Sequence, residues 1–285
     1  MRPRAGGWQR ATVRRKRWRA FFIAFVLVVF CLPLVWTVLA SLGIHPDESA
    51  YPPTWSLPPS LDGYGEVGVA EKDFPGEMLM SGMTSITATA LTILASFLAS
   101  FSLVHSRLRE KRSLAQGFLV LASLPVMAYV IPLNGTVKAL LLHDTFIGVS
   151  LAQAAILCPL AVYVLFGYLN QASPEFEEAA RLEGASALQM LARVILPVNA
   201  PALMATAVIV FVLNWNSFLA PMVLSTNHVR TIPMAMSDFF VVDRELDWPT
   251  AAAALTVSVL PLVVFVVVTH RFLQRFFLGP SRDAE

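Results

Sequence analysis

The sequence predicts an all-α membrane protein with six spanning helices, and three observations predict it. Hydrophobic residues make up 56% and charged residues only 14% of the 285, against roughly 45–50% and 25% in a soluble domain. Six stretches free of Asp, Glu, Lys and Arg are long enough to cross about 30 Å of hydrocarbon. The basic residues gather on one side of the topology those stretches define. Cys31 and Cys158 both lie in apolar runs, so they argue neither a disulfide framework nor a metal cluster.

The charge-free stretches are 20–42, 78–104, 114–137, 146–172, 198–224 and 249–269, each closed by charges, prolines or glycines. The first follows Arg14-Arg15-Lys16-Arg17, and Val38-Leu39-Ala40 has the small-residue character of a cleavage site. Its apolar core exceeds the about 7–15 residues of a secretory signal, so it is expected to stay as an anchor. In the third span Pro125 and Pro132 flank Met127 and Tyr129, a pattern for a bent, gate-like helix or for a kink that serves packing alone.

Eight Lys or Arg lie in residues 1–20, four in 107–112, two in 175–197 and three in the C-terminal tail, giving 17 on one side. The other side has four, Lys72, Lys138, Arg230 and Arg244. The excess of positive charge marks the cytoplasmic side, so both termini and the 175–197 segment are expected there. The loop 43–77 is Pro-rich and acidic, with Asp47, Glu48, Asp62, Glu66, Glu71, Asp73 and Glu77, and is expected outside as a surface cap. The organisation is then a basic tail over 1–19, a transmembrane domain over 20–272 and a second tail over 273–285. The basic tail reads as an orientation signal touching anionic lipid, with no nucleic-acid partner.

Between spans four and five stands a segment unlike its surroundings, EFEEAARLEGASALQMLARVILP over 175–197. Ser173 can cap a helix that has Pro174 in its first turn, and Glu175, Glu177 and Glu178 suit the positive end of its dipole. Gly184 permits the left-handed residue that ends it, and Ser186 with Gln189 forms a capping box for a second helix. That helix is expected to place Leu188, Leu191, Ala192 and Ile195 on one stripe and to stop before Pro197. Ala179 and Ala180 offer a face that a partner can approach closely. The segment is a docking element or a hairpin that merely joins two spans.

Polar residues inside hydrocarbon are costly and face a bundle interior or a watery path. Ser85, Thr89, Thr92, Ser96 and Ser100 fall within one helical stripe, suited to close packing or to lining a cavity. Asn214, Trp215 and Asn216 pair two amides with an indole, which fits a sugar's hydroxyls and ring face, or a bridge between helices. Gln153 in the fourth span and Tyr129 in the third are further candidates. The sequence has no Gly-x-x-x-x-Gly-Lys loop, no His-Glu-x-x-His, no Gly-x-Ser-x-Gly and no carboxylate pair within a span, which makes an intramembrane enzyme the weaker class.

Glu178-Ala179-Ala180, Gly184 four positions on and Ile195-Leu196-Pro197 resemble the signature loop of binding-protein-dependent ABC importer permeases. Asn214-Trp215-Asn216-Ser217-Phe218-Leu219, Thr231-Ile232-Pro233 and Asp247-Trp248 are similar to the carbohydrate, maltose-permease-like subfamily. Two departures stand out: Glu183-Gly184 replaces the common Asp-Gly, and Leu278-Gly279-Pro280-Ser281 replaces a Gly- and Ala-containing tail. The resemblance implies a type I ABC importer permease fold in the plasma (inner) membrane of a prokaryote. It implies a coupling helix seated in a cytoplasmic ATPase, with Glu177, Glu178, Ala179, Ala180, Arg181, Gly184, Leu196 and Pro197 as its residues. The partners it implies are a second permease subunit, two ATPase subunits and an extracytoplasmic solute-binding protein. No cofactor or metal is expected on this chain, ATP and Mg belonging to the partner ATPase. A reading from another class is a membrane-embedded enzyme or a channel subunit without a motor.

Overall fold

The computed structural model describes residues 6–47, 51, 54–55, 58–69, 73–171, 175–239 and 247–278. Helix α1 (Gly6–Ser41) is followed by a two-residue antiparallel ladder of β1 (Pro46–Asp47) and β2 (Thr54–Trp55), then α2 (Asp62–Val69) and α3 (Phe74–His105). Next come α4 (Lys111–Ala122), α5 (Val126–Ala139), α6 (Phe146–Leu169), α7 (Glu175–Leu182) and α8 (Ala187–Met190). A π-helical turn (Leu191–Ile195) leads into α9 (Leu196–Val198), α10 (Ala200–Trp215), α11 (Leu219–Leu224), α12 (Ile232–Asp238) and α13 (Trp248–Leu278).

Among the described residues four helical segments are long and apolar enough to cross a membrane: Trp18–Ser41, Phe74–His105, Phe146–Leu169 and Trp248–Arg271. Two further pairs qualify only together, α4 with α5, bent by 89°, and Leu188–Val198 with α10, bent by 71°. The expected run 114–137 is therefore not one straight helix. It breaks at Pro125, which lacks an N–H and keeps Leu124 out of the helical region, while Ser123 closes α4 by donating its hydroxyl to Leu119 O at 2.8 Å. Pro132 sits inside α5 without breaking it.

The expected run 198–224 is also divided. Its helix is entered from upstream, bends at Asn199, ends at Trp215 and resumes as α11. Asn216 Nδ2 donates to Val212 O at 2.8 Å, taking up a helix carbonyl from the side chain, and Pro221 has no N–H to return to Ser217. Asn214 to Asn216 thus mark the end of a helix rather than the middle of one. At the N-terminus α1 reaches back to Gly6, so the expected tail is continuous with the first helix. Of the charges used for orientation, Arg2, Arg4, Lys72, Arg244 and Arg282 lie outside the described residues.

The chain divides into two compact units. One comprises Met1–Lys72 with Val242–Val257. In it Ser41 at the end of α1 shares a hydrogen bond with the Tyr64 hydroxyl of α2 at 2.7 Å, and Trp36 meets Trp55 edge-on at 6.0 Å. Thr250 at the start of α13 donates to Asp247 and reaches Glu66 of α2 at 3.3 Å. Gly63 is required here, because a Cβ at that position would lie 2.9 Å from the Pro249 carbonyl.

The second unit comprises Asp73–Val241 with Ser258–Glu285. Asp73 caps α3 by accepting the Gly76 N–H at 3.2 Å, and Thr145 caps α6 by accepting the Gly148 N–H at 3.1 Å. Helices α3 and α6 run parallel along their length, α10 packs on both, and Phe211 of α10 stacks on Phe265 of α13 at 3.8 Å. Beyond the helix ends Arg230 binds Glu77 at 2.7 Å and also Asp238, and Ile232 N–H donates to Ser81 Oγ at 2.6 Å, so α12 is tied to the head of α3.

Asp144, in the α5–α6 connection, ties that connection to the turn after α11. Its N–H donates to Leu224 O at 2.9 Å, and its carboxylate accepts the Ser225 hydroxyl and the amides of Thr226, Asn227 and His228. Partial burial works to raise its pKa, but the hydroxyl and the three amides outweigh that and hold it well below the usual carboxylate range. A carboxylate with a depressed folded pKa adds stability that is complete above the unfolded value of about 3.9 and is lost progressively as the pH falls from there through the lower folded value. Asp144→Asn is therefore expected to melt below the wild type at pH 7, with the difference shrinking below about pH 4, as read by thermal unfolding in detergent across pH.

Candidate functional site

The 175–197 segment is built by local rules. Ser173 and Pro174 lie outside the described residues, as do the side chains of Glu175 and Glu177. Helix α7 ends in a Schellman arrangement: Gly184 takes φ +78°, its N–H donates to Arg181 O at 3.0 Å, and Ala185 N–H donates to Ala180 O at 3.0 Å. The capping box forms as well, with Ser186 N–H donating to Gln189 Oε1 at 2.9 Å and Gln189 N–H to Ser186 Oγ at 3.3 Å.

Tertiary packing decides the rest. Ala180, Met190 and Ile195 are buried against Phe97 of α3, Leu165 and Leu169 of α6 and Leu203 of α10, with Ala185, Leu191 and Val194 beside them. Ala180 is 8% exposed while its neighbour Ala179 faces out. The expected shared face of two alanines is thus corrected to one, since successive helical residues point about 100° apart. The outward face carries Phe176, Glu178, Ala179, Arg181, Glu183 and Leu182, the last 90% exposed.

The second helix differs from its expected stripe too. Leu188 and Ala192 face out, and Met190, Leu191, Val194 and Ile195 face in. The cause is the π-helical turn, in which Leu196 N–H reaches back five residues to Leu191 O and so shifts the spacing of the inner face. The same shift lets the helix run past Pro197 to Val198 instead of stopping before it: Pro197 stands in the first turn of α9, where its missing N–H is tolerated.

The hydroxyl stripe of α3 is buried along its length, Ser85 and Thr89 included. Thr92 reaches Ala154 O at 3.4 Å, Ser96 donates to Cys158 O at 3.3 Å and Ser100 to Val162 O at 2.9 Å. Each pair is separated by 62 residues, so these hydroxyls bind successive turns of a parallel helix. Ser96 and Ser100 are thereby engaged in contacts between α3 and α6. Asn214 Nδ2 donates to Thr89 Oγ1 at 3.3 Å, and Gln153 Nε2 reaches Asn214 O at 3.5 Å. Gln153, 2% exposed, has no hydrogen-bond partner for its Oε1.

Trp215 is 4% exposed and lies against Phe211 at 6.0 Å, whereas Asn216 is exposed. Tyr129 is half-buried on α5. The structure thus joins Thr89, Gln153 and Asn214 into one buried polar group and separates Asn216 from it. Asp144, Ser81 and Arg230 were not among the sequence candidates. Their partners are distant in the chain, and the only local signal was a charged or hydroxyl residue at the edge of an apolar run. Among the described residues no group of three or more His, Cys, Asp or Glu is placed to hold a metal ion.

Residues 92–277 match the profile of the binding-protein-dependent transport system inner membrane component. The chain belongs to that family. It is a multi-pass permease of the inner membrane. The permease is 26% identical over 253 residues to the trehalose/maltose transport system permease protein MalG of Thermococcus litoralis, covering 88% of this chain and 91% of that one. It is 28% identical over 265 residues to the trehalose transport system permease protein SugB of Mycobacterium tuberculosis, covering 90% and 94%. Its fold is that of a chain in a bacterial ABC transporter involved in the import of the acidic polysaccharide alginate, with a TM-score of 0.74 at 18% identity over 97% of this chain and 100% of that one. The permease is all-α with the fold of an ABC importer membrane subunit.

The opposite facing of the two alanines separates their substitutions. Ala180→Trp overpacks the buried cluster at a cost of about 1–3 kcal/mol and is expected to open the 175–198 segment to protease. Ala179→Trp should leave the cleavage pattern of the wild type. Gly184→Ala meets no heavy atom within 4 Å, so its cost is the left-handed strain alone, roughly 1–2 kcal/mol. Limited proteolysis of the three purified variants reads these outcomes.

Proposed function

We propose that this permease forms half of the translocation pathway of an ATP-driven importer for a sugar or sugar-like solute. In this reading each bent pair is one span, giving six, with both termini and the 175–197 loop cytoplasmic. The orientation is supported by the 17-to-4 division of Lys and Arg. The solute class is supported by relatives named for trehalose and maltose transport. The partners are a second permease subunit, two ATPase subunits that bind ATP and Mg, and an extracytoplasmic binding protein. The family's description as binding-protein-dependent supports the last of these.

The observation that carries the reading is the two-sided loop. Its inner face, through Ala180, Met190 and Ile195, is packed on α3, α6 and α10. Its outer face presents Ala179, Arg181 and Leu182 to a partner. A large apolar side chain left almost wholly in the open beside a small one and charged ones suits a protein partner's cleft. Glu177, Glu178, Ala179 and Arg181 then make the contact, Gly184 sets the turn and Ala180 holds the loop to the membrane helices. Leu196 and Pro197 carry the helix onward to α10, which is about 24 Å long at 1.5 Å per residue and carries Asn214 in its last turn. A displacement of the loop therefore reaches the Thr89–Gln153–Asn214 group. In this account Asn216 meets the solute, with Tyr129 as an aromatic lining residue, while Asn214 and Trp215 hold the helix end. Thr92 and Ser96 keep α3 against α6.

Ala179→Trp is expected to insert, fold and pair with the second permease subunit yet lose the ATPase subunits on co-purification and lose uptake in vesicles. Retention and uptake both at the wild-type level would reduce the segment to a linker. Orientation has its own measurement: Ser186→Cys should react with a membrane-impermeant maleimide only after the cells are opened, and reaction in intact cells would reverse the topology.

A further inference from the structure

The joint between the loop and α10 is bracketed by Pro197 and Pro201, neither of which has an N–H to place in a helical ladder. Asn199 stands between them at φ −96°, ψ 6°, where the helix axis turns by 71°. Both of its nitrogens donate to one acceptor: its backbone N–H to Ile195 O at 3.0 Å and its Nδ2 to the same oxygen at 2.9 Å. Its own carbonyl accepts the Leu203 N–H at 3.0 Å. One residue is thus bonded to both arms of the bend. On one side of the joint Leu196, Leu203 and Ala207 line a groove of about 360 Å³ together with Ile93 and Phe97 of α3, so both arms border the same apolar groove.

We propose that Asn199 is the latch of this joint. Its side-chain bond to the Ile195 carbonyl holds α10 at a set angle to the 175–198 segment, so that motion imposed on the loop is delivered to α10 instead of being absorbed between two prolines. Asn199 is a positioning residue that acts through Ile195 and Leu203. The proposal rests on the coupling role proposed above for the loop.

The chemistry required of position 199 is a donor that reaches the carbonyl four residues back. A threonine meets it, as Thr206 does toward Ala202 O at 2.7 Å and Thr92 toward Ala88 O at 2.7 Å in this same molecule. A leucine has no donor, and an ionised aspartate only accepts. In the assembled transporter Asn199→Leu and Asn199→Asp are expected to keep the ATPase subunits while importing roughly threefold to tenfold less solute per ATP hydrolysed, the factor carried by one hydrogen bond. Asn199→Thr should stay near the wild type. Spin labels at Ala192→Cys and Leu213→Cys, both outward-facing, in a chain with Cys31 and Cys158 replaced by Ala, should give a broader distance distribution in the Leu and Asp variants than in the Thr variant. Wild-type import per ATP with a narrow distribution in Asn199→Leu overturns the latch, as does an Asn199→Thr as defective as Asn199→Leu. Failure of the transport reading is seen separately, as absence of ATPase retention by the unmodified permease, and the distance measurement still decides the latch in that case.

Discussion

A hydroxyl in hydrocarbon must find an acceptor, and α3 presents several on one face. Ser96 and Ser100 find theirs in the α6 carbonyls of Cys158 and Val162, while Thr92 donates to Ala88 O of its own helix at 2.7 Å and lies 3.4 Å from Ala154 O of α6. Bonds from short side chains to another helix's backbone form only when the helices are close and in register. That constraint makes α3 the post of its unit. Its head carries Glu77 and Ser81, which hold Arg230 and the start of α12. Its middle carries Thr89, which receives Asn214. Its lower part carries Phe97, against which the 175–198 segment is packed.

The two ends of that unit are fastened by different physics. At the α12 end the fastenings are polar and charged: the Asp144 carboxylate gathers a hydroxyl and three amides, and Arg230 stands between two acids. Such contacts are charge-assisted and directional. At the loop end the fastening is apolar, a cluster of Phe97, Leu165, Leu169, Ala180, Met190, Ile195 and Leu203. At the joint between the loop and α10, Asn199 adds directional bonds to this apolar packing, its N–H and Nδ2 both donating to Ile195 O. The buried Gln153 lies between these ends, where its Nε2 reaches Asn214 O of α10 at 3.5 Å.

The likeness of fold to an alginate importer chain at 18% identity is intelligible in the same terms. A close approach of α3 and α6 asks for small residues at four-residue spacing rather than for particular ones, and the loop asks for a glycine at a left-handed position and a small residue where it meets the helices. Many sequences satisfy such requirements. The exposed side chains are left free to differ.

The sequence by itself determined what depends on neighbours within a few positions. The charge-free runs, the left-handed Gly184 and the Ser186–Gln189 box were legible because a helix end or an apolar window is a local property. The burial of the hydroxyl stripe was legible too, from its period. The tertiary structure alone decided that Pro125 breaks a helix while Pro132 does not, that Ala180 turns inward and Ala179 outward, and that a π-helical turn carries the chain past Pro197. It alone paired Asn214 with Thr89 across 125 residues and Asp144 with the 225–228 turn. These outcomes depend on a surface that only the other helices supply: the same alanine or proline is stable in either setting, and the cost of each is fixed by what is packed against it.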